Sequence, residues 1–129
     1  MLTPINELLN LANKTAMVTG GAMGIGKGIV GRLHEAGANV VIADVDDVAA
    51  KAAANELNAK RAGSALAVHA DVSSADDVNK MVQAALSNFG RVDILVNNAG
   101  IYPAKPLHDM ADEDFKKVLD VHLHGAYLC

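Results

Sequence analysis

Thr19-Gly20-Gly21-Ala22-Met23-Gly24-Ile25-Gly26 separates two stretches of different periodicity. Before it, Lys14 to Thr19 contains the apolar run Ala16-Met17-Val18, short and bounded at once by Gly20-Gly21, as a buried strand would be. After it, Ile25, Ile29, Leu33 and Ala36 recur at helical spacing, and Gly37 supplies the expected C-terminal cap. Glycines between a strand and a helix permit a tight turn and let a pyrophosphate approach the backbone, where it meets the helix's free N–H groups and positive dipole end. Such a turn can also be a plain connection, so its place between these two elements is what gives the reading weight.

The chain continues in the same alternation. Asn39 to Ala43 holds the run Val40-Val41-Ile42-Ala43, which has no polar face and suits a strand covered on both sides. Val45 to Ala62 is alanine-rich and ends at Gly63, so a helix is expected there, followed by a third strand over Ala65 to Val68. Ser74 stands three residues before Asp77 in a capping-box arrangement, and Val78, Met81, Val82, Ala85, Leu86 and Phe89 mark one helical stripe that Gly90 ends. Val92 to Val96 reads as a fourth strand. Asp112 is placed to cap a last helix carrying Phe115, Val118, Leu119, His122 and Ala126, and residues 101–110, with Pro103 and Pro106, form the longest loop. Strands alternating with helices imply parallel pairing through right-handed crossovers, hence an α/β, Rossmann-type doubly wound sheet with strand order 3-2-1-4. Residues 1–13 are read as a leader and residues 14–129 as one dinucleotide-binding domain.

Asp44 follows the second strand, twenty-four residues beyond Gly20. A carboxylate there can accept hydrogen bonds from the adenosine ribose hydroxyls and would repel a 2′-phosphate. No Arg or Lys occurs among Gly21, Ala22 and Met23 or directly after Asp44, so NAD is the expected cofactor, not NADP. An ordinary solvated aspartate opening the next helix is the plainer alternative.

The spacing of Thr19, Gly20, Gly24 and Gly26, together with Asn97-Asn98-Ala99-Gly100 after the fourth strand, resembles the short-chain dehydrogenase/reductase family. The likeness runs from Lys14 to Cys129 and includes Asp71-Val72 and Gly90-Arg91-Val92-Asp93. It implies a pyrophosphate site at Gly20, Gly24, Ile25 and Gly26, a ribose site at Asp44, and adenine beside Asp71 and Val72. Asn98, Ala99 and Gly100 would line the cofactor further along, while Asn97 would tie the central strands by side-chain hydrogen bonds. The implied activity is hydride transfer between NAD(H) and an alcohol or carbonyl.

Two departures qualify that activity. The family's proton donor is the tyrosine of a Tyr-x-x-x-Lys pair assisted by a serine, and this chain has no such pair: Tyr102 has Lys105 three residues on, and Tyr127 has no lysine after it. Without a nearby cation neither phenol is set up as a general acid or base near neutral pH. His122 stands where the family usually has an asparagine that supports a proton relay. It could bond a relay water, or be a buried histidine on a helix face. The last helix also ends without a cap, so the chain reads as the N-terminal portion of the family, inactive alone. The alternatives are a non-catalytic nucleotide-binding module and a truncated remnant. An uncovered fourth strand and last helix would favour self-association into a homo-oligomer.

Composition agrees with this picture. The 129 residues, 51% hydrophobic, suffice for one domain with a real core. A formal charge of −4, from 11 basic and 15 acidic residues, offers no electrostatic footprint for nucleic acid or an anionic membrane, and no run approaches the roughly 20 apolar residues of a membrane span. Cys129 is the only cysteine and Met1 to Asn13 lacks a signal-peptide pattern, so a cytoplasmic protein is expected. No metal site is expected, because His122 and His124, two apart on a helix, point to nearly opposite sides.

Overall fold

The computed structural model describes residues 2–129. Its centre is a parallel sheet of β1 (Thr15–Thr19), β2 (Asn39–Asp44), β3 (Ala65–His69) and β4 (Ile94–Val96) in the order β3-β2-β1-β4. Parallel registers pair Val18 with Ile42 and with Val96, and Asp44 with His69. The helices are α1 (Ile5–Leu8), α2 (Gly24–Glu35), α3 (Asp47–Lys60), α4 (Ala75–Phe89), α5 (Asp112–Leu119) and α6 (Gly125–Leu128). The fold is thus the α/β arrangement and strand order that the alternation implies.

The strands divide the core by side-chain alternation. Ala16, Val18, Val40 and Ile42 face α2 and α3, where they meet Val30, Ala50, Ala53 and Leu57. Met17, Val41 and Ala43 face the other side and pack against Val78, Met81 and Ala85 of α4. Because β1 and β2 are buried on both faces, their sequences carry no polar alternation.

The helix ends show where side chains overrule periodicity. α3 begins at Asp47, two residues after the expected start, because the Asp46 side chain accepts the Ala49 N–H at 2.9 Å. It ends at Lys60 because Arg61 turns extended and sends its guanidinium to the carbonyls of Gly37 and Ala38. Ser74 caps α4 through the Asp77 N–H, as expected, and Gly90 closes that helix at φ +74°. The capping box is only half formed, since the Asp77 carboxylate accepts the Asp71 N–H at 3.2 Å.

The last helix departs most from expectation. Asp112 does not cap it: Ala111, in extended conformation, occupies that position, and Asp112 lies in a first turn with Glu113 and Asp114, three acids at the positive dipole end. A π turn over Asp120–His124 then separates α5 from α6. The extra residue per turn shifts the angular positions of the residues after it, which places His122 against the chain at Ile101.

Candidate functional site

The glycine turn is locked from both sides. Gly20, at φ +63°, donates its N–H to the Ala43 carbonyl at 2.8 Å. A Cβ on Gly26 would stand 2.0 Å from the Gly20 carbonyl oxygen, so α2 can start this close to the turn only with glycine there. Gly24 also has positive φ, +54°, and open space where a side chain would stand. The first amides of α2 have no intrahelical acceptors, and no side chain caps them.

Thr19 and Asn98 join this turn to the end of β4. The buried Thr19 hydroxyl accepts the N–H groups of Asn98 and Ala99, each at 3.1 Å, and lies 3.4 Å from the Val96 carbonyl. The Asn98 amide donates to the carbonyls of Thr19 and Gly20, both at 3.0 Å. Asn97 does not tie the strands as expected: it is exposed, and Asn98 makes those bonds. Both asparagines lie just past the end of β4, and the turn of the chain there brings the Asn98 side chain, not that of Asn97, to the Thr19 and Gly20 carbonyls.

Asp44 is held by two backbone donors: Ala22 N–H on Oδ2 and Asp46 N–H on Oδ1, both at 3.1 Å. Asp71 Oδ1 accepts the N–H and hydroxyl of Ser73, at 2.9 and 2.6 Å. Beneath it, the Asp77 carboxyl is held below the usual carboxylate value, chiefly by the Asp71 N–H and then by Lys80.

These residues surround one cavity of about 540 Å³. It is lined by Gly20, Ile25, Gly26, Asp44, Asp71, Val72, Asn98, Ala99 and Gly100. Of the ten positions expected to meet a cofactor, only Gly24 is absent from its walls. Met23, Val45, Ala70, Ile101, Tyr102, Lys117 and Val121 complete the lining, and none of these was singled out as a binding position from sequence. Val121 could have been found from its place beside His122; Lys117, one turn earlier on the helix, carries no sequence signal of its own.

His122 closes the far end. Its Nε2 lies 3.0 Å from the Ile101 nitrogen and 2.9 Å from the Ile101 oxygen, so the ring either accepts the N–H or donates to the carbonyl and keeps a partner in both tautomers. Tyr102 meets the ring edge-on at 5.2 Å. A Cβ on Gly100 would stand 2.6 Å from the same ring, and one on Gly125 would stand 2.7 Å from Val72. Both glycines let the last helical stretch approach the cavity closely. His122 is half-buried, not sealed in a core, and its observed task is to hold Ile101.

The sequence pattern of the family described as short chain dehydrogenase matches residues 14–129. The chain belongs to the short-chain dehydrogenase family. It is 44% identical over 116 residues to 3beta-hydroxysteroid dehydrogenase 2 of Eggerthella lenta, covering 89% of this chain and 44% of that protein. It is 43% identical over 124 residues to an uncharacterized oxidoreductase of Mycobacterium bovis, covering 94% of this chain and 47% of the relative. Among solved structures, 3-ketoacyl-(acyl-carrier-protein) reductase from Brucella melitensis complexed with NADH superposes with a TM-score of 0.86 at 42% identity, covering 92% of this chain and 48% of that one. A short-chain type dehydrogenase/reductase from Mycobacterium marinum gives 0.90 at 34% identity, covering 97% and 49%. The chain thus spans about half the length of these short-chain dehydrogenase relatives, and the half it spans is the N-terminal, nucleotide-binding one. No helix among the described residues is long and apolar enough to cross a membrane.

Proposed function

We propose that this chain binds NAD(H) in preference to NADP(H), and that it forms the cofactor half of an oxidoreductase moving hydride between NAD(H) and an alcohol or carbonyl. Asp44 carries the reading. Two backbone N–H groups fix its carboxylate at the cavity wall, where it suits ribose hydroxyls and opposes a 2′-phosphate. Among the described residues, the only Lys or Arg in the lining is Lys117, on α5, and not beside Asp44.

The residues fit a dinucleotide. The open face at Gly24 and the uncapped amides of α2 suit pyrophosphate oxygens, with Gly20, Ile25 and Gly26 around them. Asp71 and Val72 would take the adenine, and Asn98, Ala99 and Gly100 the remainder. When bound, the nicotinamide supplies hydride chemistry; the protein's part here is to bind and orient. A proton donor is not among these 129 residues, because Tyr102 and Tyr127 are both exposed and neither begins a Tyr-x-x-x-Lys pair. His122 serves as a positioning residue for Ile101.

The domain proper is taken as residues 14–129, with residues 1–13 as a leader. The protein is assigned to the cytoplasm, in keeping with a single, unpaired cysteine. Phe115, Leu119, Leu123 and Tyr127, four residues apart and all exposed, support self-association into a homo-oligomer.

Titration with NADH and NADPH, followed by nicotinamide fluorescence, tests the reading. The expected result is saturable NADH binding that NADPH does not match. Asp44→Ala should weaken NADH by about ten- to a hundredfold, the scale of hydrogen bonds to a charged group. A folded chain that binds neither nucleotide would overturn the proposal.

A further inference from the structure

The cavity crosses the ends of the strands in sheet order. Asp71 stands beyond β3, Asp44 at the end of β2, Gly20 beyond β1 and Asn98 to Tyr102 beyond β4, so Tyr102 lies across the glycine turn from both aspartates. Its side chain folds back over its own loop. A Cβ on Gly100 would stand 2.9 Å from the Tyr102 hydroxyl and 2.6 Å from the His122 ring, so these two side chains share the room that the glycine leaves. The two rings meet edge to face, with centroids 5.2 Å apart and planes 80° apart. Pro103 follows directly and favours an extended Tyr102 backbone, which narrows the range the ring can sweep. Tyr102 is nevertheless 84% exposed. The side-chain hydrogen bonds of this stretch join His122 to Ile101 and Lys105 to Asp114, and none among the described residues engages the Tyr102 hydroxyl. The cavity wall thus presents an aromatic surface with a polar tip.

We propose that Tyr102 contacts the nicotinamide riboside end of a bound dinucleotide, its hydroxyl bonding a ribose hydroxyl or the carboxamide and its ring packing beside the nicotinamide. The contact rests on the reading of this cavity as a dinucleotide site. With the pyrophosphate at the Gly20 turn and the adenosine on the Asp44 and Asp71 side, the second nucleoside has the β4 side of the cavity left to it. Gly100, Ile101 and Tyr102 form the wall there. Of these three, Tyr102 alone carries a polar side-chain group. A phenol both donates and accepts, so it suits a hydroxyl as well as a carboxamide. The task of Tyr102 is to bind and orient that end of the ligand, and proton transfer is no part of it.

Calorimetric titration with NAD⁺ and with ADP separates the two ends of the dinucleotide, because ADP keeps the adenosine and both phosphates and lacks the nicotinamide riboside. Tyr102→Phe should weaken NAD⁺ about threefold and Tyr102→Ala about tenfold, the scale of one hydrogen bond and then of the ring contact as well, with ADP unchanged. Asp44→Ala should weaken both ligands. The sequence has no tryptophan and two tyrosines, so in Tyr127→Phe the tyrosine emission comes from Tyr102 alone. NAD⁺ at saturation should quench that emission, since the nicotinamide ring is an electron acceptor, and ADP should not. Equal losses for NAD⁺ and ADP in the Tyr102 variants, no loss for NAD⁺, or unquenched emission in the NAD⁺ complex overturns the contact and leaves the dinucleotide reading standing. A folded chain that binds neither ligand overturns both.

Discussion

Around the glycine turn the cavity is closed by one contact between residues nearly eighty positions apart, Thr19 and Asn98 binding each other's backbone, and by a local one in which Gly26 rests on Gly20. The opposite wall, from Ile101 to Tyr127, is attached at a few points. His122 holds Ile101, Gly125 touches Val72, and an exposed Lys105–Asp114 pair of 2.6 Å pins the loop. The first region is a close-packed joint in which each atom has one place. The second is a helical flap whose outer face, with Phe115, Leu119, Leu123 and Tyr127, is exposed among the described residues. Substitutions should therefore be felt severely in the first region and lightly in the second.

Gly26→Ala gives the largest expected effect. Its Cβ would fall 2.0 Å from the Gly20 oxygen, a backbone atom that cannot rotate away. A loss of about 3 kcal/mol or more in urea unfolding is expected, with loss of nucleotide binding. Gly28→Ala, two residues on in α2 with nothing within 4 Å, serves as the control and should stabilise by about 0.5–1 kcal/mol. Equal effects at the two positions would mean that the joint is not close-packed.

Thr19→Val comes next. The change keeps shape but removes the acceptor of two N–H groups in a buried setting, so about 2–3 kcal/mol should be lost, while Thr19→Ser should retain most of the stability. Full stability in the valine variant would show that water replaces the hydroxyl.

This joint was partly legible in the sequence. Glycine identity and spacing revealed the turn because positive φ together with the approach of Ala99 excludes a side chain at Gly20, and the Gly20 oxygen excludes one at Gly26. The order of the strands followed from alternation of buried runs. Long-range side-chain bonds were less visible. Nothing in Asn97-Asn98 says which amide reaches the Thr19 and Gly20 carbonyls, which depends on how the chain turns after β4. The π turn at Asp120–His124 was invisible, since the apolar stripe reads as one continuous helix and the insertion is settled by tertiary contacts at Ile101 and Val72. Val121 lies on that turn, and Lys117 on α5 just before it; both line the cavity.

A pH experiment sharpens the comparison at the back of the joint, where α2 meets β3. His34 is 8% exposed, and its Nε2 lies 2.7 Å from Ser64 Oγ. The Ser64 hydroxyl donates to the Arg61 carbonyl at 2.5 Å, so Nε2–H must be the donor to Ser64 and a second proton can enter only at Nδ1. Burial first, then the charges of Arg61 and Lys60, lower the His34 pKa. The unfolded chain, with an ordinary histidine near pH 6.5, then binds the proton more readily than the folded one. Stability from this site is present above about pH 6.5 and declines as the pH falls from there towards the folded value. Urea midpoints at pH 7.5 and 5.0 should show a larger acid loss for the wild type than for His34→Gln. An identical loss in both would exclude His34 as its source.

The smallest expected effect lies on the flap. Leu123 is exposed on the π turn, and Leu123→Ser removes apolar surface that the folded chain does not bury against itself. Stability of the isolated chain should change by no more than about 0.5 kcal/mol. Self-association, followed by sedimentation over a range of concentrations, should weaken by a larger factor, because exposed apolar area of this kind is removed from water only by contact between copies. If Leu123→Ser instead costs as much as Thr19→Val, the flap packs as tightly as the joint. The contrast between the two walls would then have to be replaced by a single cooperative core.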